Sequence, residues 1–340
     1  MFLKSLAAAA LLFPSLSTAS EYTTIACPDT ESTYPASINS GQEIVGSCGH
    51  KGFIRFRNGV YMTFTAPYAE FMTYAVDIND SGEIIGSYQK TGADYNHGFV
   101  RSADGVFSEF DPPGSGETAP ASINSAGVVT GFYVLGGVTV GFVRDTQGNI
   151  TSVLVPGSLS TQPTGINSSG EITGFEQDVI GTHGFLQDAE GNTTVFDVPG
   201  SDPEPTNGDP RGTISFAINS SGQVTGWWTD TNNVRHGFTR DASGSFVTFD
   251  APGASSFGTT AASINDSGEV TGYALDSAEN YFSFTQSGSD TPVDFRGPKD
   301  QTGYGPSAGK INASGRIIGW YWDSSVHQRG FFRDVLPPGN

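Results

Sequence analysis

Four aspartates, Asp178, Asp230, Asp276 and Asp323, stand at one aligned place in a chain that repeats itself, and aromatic residues gather just before that place. Those aromatics are Tyr88, Tyr133, Trp227, Trp228, Tyr273, Trp320 and Trp322, with Tyr321 between the last two; they include all four tryptophans of the sequence. Flat aromatic faces beside carboxylates suit stacking on and hydrogen bonding to a sugar, or the walls of a pocket for an apolar ligand. The competing reading packs the rings between repeats and gives the aspartates to loop capping. Two cations stand out as irregular. Lys310 interrupts a run of small residues, and Arg211 sits in the longest connector of the chain, Pro199 to Ser215. A lysine or glutamate lining a funnel can have a shifted pKa and transfer protons. Tyr34, Glu70, Tyr74, Glu117, Phe216 and Tyr304 are the other large residues in equivalent connectors.

Three further patterns invite chemistry and are better explained by structure. His50, His97, His183, His236 and His327 all lie at or just before the start of the third strand of their repeats. Repeats stand much farther apart than a metal–nitrogen bond of about 2.0–2.1 Å, so these histidines are read as hydrogen-bonding groups, and no metal or cofactor is expected. Asp77-Ile78-Asn79-Asp80-Ser81-Gly82-Glu83 has the alternating oxygen donors of a calcium loop, but the other six repeats carry Ser, Gly, Ala or Lys in place of Asp77. Gly305-Pro306-Ser307-Ala308-Gly309 matches a hydrolase nucleophile pattern that works only on a strand-to-helix elbow, and no helix follows it here.

The element that must position all of these is the repeat. Ile-Asn, a small polar pair and Gly recur at Ile38, Ile78, Ile123, Ile166, Ile218, Ile264 and Ile311. An apolar segment follows, such as Glu269-Val270-Thr271-Gly272-Tyr273, then a variable loop, then a run such as His236-Gly237-Phe238-Thr239-Arg240. A second turn, Asp241-Ala242-Ser243-Gly244, leads to Phe246-Val247-Thr248-Phe249-Asp250 and a Pro-Gly terminator. Each repeat thus holds four short strands, a to d. Asn or Asp opens the a–b and c–d turns by accepting main-chain hydrogen bonds, and Gly supplies the positive φ that closes them. Seven such units predict an all-β, seven-bladed propeller of four-stranded antiparallel blades. The last repeat lacks its own strand d, and Tyr22-Thr23-Thr24-Ile25-Ala26-Cys27-Pro28 aligns with Phe246 to Pro252. The N-terminal strand is therefore expected to close the ring, which removes an exposed sheet edge. With strand a innermost, the glycine turns share one face of the disc. The b–c and d–a loops, with most of the length variation and the aromatic–aspartate set, share the other.

His97-Gly98-Phe99, His183-Gly184-Phe185 and His236-Gly237-Phe238 within this frame make the chain resemble the extracellular HAF-repeat proteins across essentially all of residues 20–340. Val140-Gly141-Phe142, Phe282-Ser283-Phe284 and His50-Lys51-Gly52-Phe53 depart from the motif. The resemblance implies the architecture, and a shared fold does not transfer a function.

Residues 1–19 read as a signal peptide, with Lys4, an apolar core from Leu6 to Phe13 and small residues at Ser17-Thr18-Ala19. The remainder, 20–340, is expected to be one secreted, extracellular and monomeric domain. No segment is long and apolar enough to span a bilayer. The net charge of -19, with sixteen Lys and Arg against thirty-five carboxylates, excludes a nucleic-acid partner. Cys27 and Cys48 are the only cysteines, and in an oxidising compartment they are expected to pair. Asn79, Asn149, Asn167, Asn192, Asn219, Asn265 and Asn312 head Asn-x-Ser/Thr sequons and are candidate glycosylation sites in a host that glycosylates.

Three functions fit. One is a binder of a glycan or small organic ligand on the b–c/d–a face. The second is a cofactor-free lyase, isomerase or cyclase in the central funnel, such as a pericyclic cyclase of fungal secondary metabolism, where orientation alone supplies rate. The third is a structural interaction protein of the cell envelope.

Overall fold

The computed structural model describes residues 22–28, 30–90, 92, 95–203, 211–295 and 305–334. The signal peptide and its cleavage region, Tyr304 and residues 204–210 of the long connector lie outside the described residues. Among the described residues there are strands and no helix, so no helix is long and apolar enough to cross a membrane.

The strands, numbered β1 to β28 in chain order, form seven four-stranded antiparallel sheets. In six of them four consecutive strands lie side by side. In the seventh the order is β1 (Tyr22–Ile25), β28 (Gln328–Arg333), β27 (Ile317–Trp322), β26 (Ser307–Ile311). Tyr22 pairs with Arg333 and Ile25 with Gly330, so the N-terminal strand completes the last blade as the alignment predicts. The Cys27–Cys48 disulfide, with Cα atoms 6.0 Å apart, then ties this strand to strand b of blade one.

The core lies between blades. Val45, Ile54 and Phe64 of blade one pack with Ile78, Ile84, Tyr88 and Phe99 of blade two, and Ile25, Cys27 and Phe332 of blade seven pack with Ile44, Cys48 and Phe53 of blade one. Middle strands are therefore buried on both faces, whereas outer strands such as Phe246–Phe249 bury mainly their last residue. Every strand a carries a bulge, for example between Ser215 and Ala217 and between Ala308 and Lys310. A bulge bends the strand and adds a residue on one side. Facing it, strand b has glycine. A Cβ on Gly226 would stand 2.0 Å from the Ile214 carbonyl oxygen, so no other residue lets the two main chains approach there.

The repeated asparagine has two roles. Its Oδ1 accepts main-chain hydrogen bonds from its own turn, as Asn219 does from Ser221 and Gln223. Its Nδ2 donates to the carbonyl of the equivalent asparagine in the next blade: Asn39 to Asn79, then Asn124, Asn167, Asn219, Asn265, Asn312 and back to Asn39, at 3.0–3.3 Å. This ring corrects the sequon reading. Asn79, Asn167, Asn219, Asn265 and Asn312 are buried, and a glycan needs the nitrogen that makes the bond to the next blade. Asn149 and Asn192 lie instead on exposed c–d turns, bonded to Asp145 and Asp188.

In blade one the glycine of the turn falls one place early, and Gln42 takes the left-handed conformation at φ 66°. Asp77 is not a loop ligand. It lies in strand a of blade two, where Ser37 Oγ, Ser122 Oγ and the Ile123 amide donate to its carboxylate and join three blades. Ser307 opens the buried innermost strand of blade seven, away from any helix.

Two measurements check this account. Replacing Cys27 and Cys48 together by Ser is expected to lower unfolding free energy by about 3 kcal/mol in denaturant titrations, because the closing strand loses its covalent tie. Asn219→Asp removes the donor to Asn265 and is expected to cost about 1–3 kcal/mol, against a change within about 0.5 kcal/mol for Asn149→Asp. Peptide mapping from a glycosylating host should place glycan only at Asn149 or Asn192; occupancy at Asn219 would contradict the ring.

Candidate functional site

The four aligned aspartates head the b–c turns. Asp230 Oδ1 accepts from the amides of Asn232 and Val234, Asp276 Oδ1 from Ala278 and Asn280, Asp323 Oδ1 from Ser325 and His327, and Asp178 Oδ1 from Ile180 and Gly181. The Gly181 and Ile180 amides hold the Asp178 carboxyl below its usual range, against a small opposing effect of burial. Turn capping thus claims one oxygen of each aspartate, and Asp323 Oδ2 also takes the Arg329 guanidinium at 2.9 Å.

The aromatic set divides. Tyr88, Tyr133 and Trp227 are 1–5 % exposed and belong to the packing between strands rather than to a ligand surface. The Tyr88 hydroxyl donates to Glu109, and burial first, then that carboxylate, pushes the phenol well above its ordinary pKa. Tyr133 meets Ser152 Oγ at 3.0 Å, and the Arg235 guanidinium lies 4.1 Å above Trp227. Trp228, Tyr273, Trp320 and Trp322 are half-buried. Tyr273, Tyr281 and Trp320 form a chain of rings across blades six and seven, with centroids 5.8 and 6.5 Å apart.

Three of the five histidines make the same side-chain hydrogen bond in their blades. Nδ1 of His97, His183 and His236 meets Asp111, Asp197 and Asp250 at 2.6–2.8 Å, each at the end of strand d in the same blade. Arg211 is buried and bonded to Asp202 and Asn233 at 2.8 and 3.1 Å, so it pins the long connector to a b–c turn and is not open to a ligand. Lys310 shares the inner channel with Asp77 and Phe216 in a cavity of about 160 Å³.

Two clefts on the loop face were only partly visible in the sequence. Strand a of blade two, β6 (Ala69–Ile78), runs ten residues, against five to seven in the other blades. Its outer end carries Phe71, Met72 and Tyr74. A cleft of about 460 Å³ lies between this strand and strand a of blade one, lined by Tyr34, Pro35, Ala36, Ser47, Met72 and Tyr74. A second cleft, of about 330 Å³, continues past Met72 and Tyr74 to Phe71, Tyr95, Gln89, Asn96 and Glu117. Tyr34, Phe71, Tyr74 and Tyr95 are 37–54 % exposed, which is high for large apolar rings grouped on one rim. Tyr34, Tyr74 and Glu117 are connector residues marked from sequence. Phe71, Met72 and Tyr95 were missed; the signal for Tyr95 is the expanded loop between Tyr88 and His97, and the connector length does not mark Phe71 and Met72.

No family model and no characterised protein sequence matches the chain. Solved structures do. A streptogramin B lyase is 14 % identical with a TM-score of 0.59, over 93 % of this chain and 98 % of that one. A catalytically inactive virginiamycin B lyase from Staphylococcus aureus with quinupristin is 12 % identical with a TM-score of 0.62, over 93 % and 99 %. The BP39L lectin from Burkholderia pseudomallei is 9 % identical with a TM-score of 0.53, over 88 % and 92 %. At these identities the likeness is one of fold, and it supports the seven-bladed propeller.

The b–c turn of blade seven yields a check. Val326 closes it at φ 61°, where Asn233 and Glu279 stand in the neighbouring blades, and is 68 % exposed. A β-branched residue in the left-handed region costs about 1–2 kcal/mol. Val326→Gly is expected to raise the denaturation midpoint correspondingly, and a loss of stability would refute the turn assignment.

Proposed function

We propose that the protein is a secreted propeller that binds a glycan or small organic ligand on the b–c/d–a face, in the cleft between Tyr34 and Tyr74. The observation that carries this reading is the grouping of exposed aromatic faces around a concave site with Gln89, Asn96 and Glu117 at one end. Apolar walls with a few polar groups at a fixed place are what small-ligand sites have in common. The half-buried Tyr273, Trp320 and Trp322 extend the same face. Membership of the HAF-repeat proteins and an extracellular location belong to the same proposal and rest on the repeat motif and the leader.

A second reading, a cofactor-free lyase, isomerase or cyclase in the funnel, draws support from Lys310 facing the channel where the other blades have small or acidic residues.

Binding of the leaderless protein to a glycan array and to a small-molecule library, followed by intrinsic fluorescence, tests the first reading. Tyr74→Ala and Tyr34→Ala are each expected to weaken the captured ligand about tenfold, or about 1.4 kcal/mol, while Asn192→Ala leaves it unchanged. No ligand on either array, or a ligand indifferent to both tyrosines and lost with Lys310→Ala, would replace this reading with the second.

A further inference from the structure

Two residues after the strand-b glycine, four blades carry an aromatic: Tyr88, Tyr133, Trp228 and Tyr321. Blade one has the disulfide-bonded Cys48, blade six has Ala274, and blade four has Glu176. Glu176 sits on β15 (Ile172–Gln177), directly opposite His183 on β16 (Thr182–Gln187). Both are more than nine-tenths buried, at 4 % and 9 % exposed. Glu176 Oε2 and His183 Nε2 have no hydrogen-bond partner. A buried polar atom left unpaired is costly, and here two converge. The Asp178 carboxylate completes the group from the b–c turn, with Oδ1 at 3.5 Å from His183 Nε2. One ligand atom from each of the three residues lies within 4.8 Å of the others.

Sister blades show what this arrangement lacks. In blade two the equivalent histidine, His97, also pairs with an aspartate, but the nearby Glu109 is held by the Tyr88 hydroxyl and by Lys90 Nζ at 3.0 Å. In blade five Trp228 stacks on His236 with centroids 4.6 Å apart. Among the described residues, blade four alone sets a buried carboxylate directly across from this histidine.

We propose that blade four binds a divalent transition-metal ion of the zinc class through His183 Nε2, Glu176 and Asp178. One imidazole and two carboxylates suit such an ion at about 2.0–2.2 Å and leave a fourth position open toward the loop face. Asp197, bonded to His183 Nδ1 at 2.8 Å, holds the ring with Nε2 pointed inward, the outer-sphere support usual for metal-bound imidazoles. The site does not conflict with histidines on separate blades, because all of its ligands come from one blade.

Zn2+ titration of untagged, chelator-treated protein by calorimetry, with Co2+ absorption as a second readout, tests this. One ion per chain is expected, with visible Co2+ bands of low coordination number and a raised Tm. Glu176→Gln and His183→Gln should each weaken binding by at least about tenfold, and Asp197→Asn by about 10–100-fold. Glu109→Gln, in the blade-two group, should leave the titration unchanged. Tm without metal reports folding of each variant; where Glu176→Gln does not fold, His183→Gln decides by the same titration. Absence of stoichiometric binding, an unchanged titration in a folded Glu176→Gln or His183→Gln variant, or loss in Glu109→Gln would overturn the proposal.

Discussion

Around the axis, seven side-chain amides donate in turn to seven main-chain carbonyls, and the seventh returns to the first. The bond demands one residue type. The side chain has to accept from its own turn and donate to the next blade at once, and only an amide of asparagine's length does both. Aspartate has no donor and serine has no reach. Each bond is buried, so each would leave an unpaired carbonyl if lost. Because the ring closes, it couples every blade to its neighbours and sets the angle at which each blade leaves the axis. The bulges of the inner strands and the glycines facing them then follow as the local geometry that lets seven sheets converge.

That constraint divides the molecule into two unequal faces. On the asparagine side the polar groups of the turns are committed to one another, which leaves the loops little freedom in length or composition. On the opposite side the b–c turns cap themselves through Asp178, Asp230, Asp276 and Asp323, with no ring of equivalent bonds from blade to blade. Loops on such a face change at small cost to the scaffold. The ten-residue β6 and the connector held by Arg211 are two results, and the exposed rings of Phe71 and Tyr74 come with the first.

Blade count, strand order and ring closure were legible in the sequence because they rest on local turn chemistry and on a period. Exposure was not. Trp227 and Trp228 are adjacent and point to opposite faces of one strand, but both faces of a blade are covered, so alternation does not separate ring from core. Trp227 lies beneath a guanidinium and Trp228 against His236, contacts set by neighbouring strands. Five of the sequons have a related origin: a turn that needs Asn followed by small hydroxyl residues writes the glycosylation consensus by coincidence. Arg211 looked like a free cation because Asp202 stands nine residues back in the same connector and Asn233 lies on a b–c turn.

Repetition also supplies an internal control that a single-copy fold lacks. Where one blade departs from the rest, its sisters show what the same backbone accepts. Tyr88, Tyr133, Trp228 and Tyr321 show that the site of Glu176 takes an aromatic ring, and Ala274 shows that it takes a small apolar side chain. A carboxylate there gives up apolar burial and must in addition be desolvated, a cost that usually requires a paired charge. Blade two meets the same problem at Glu109 with a phenol and an ammonium. Blade four keeps the histidine–aspartate pair and adds the acid with neither a phenol nor an ammonium to hold it, which is the departure the proposed ion would answer.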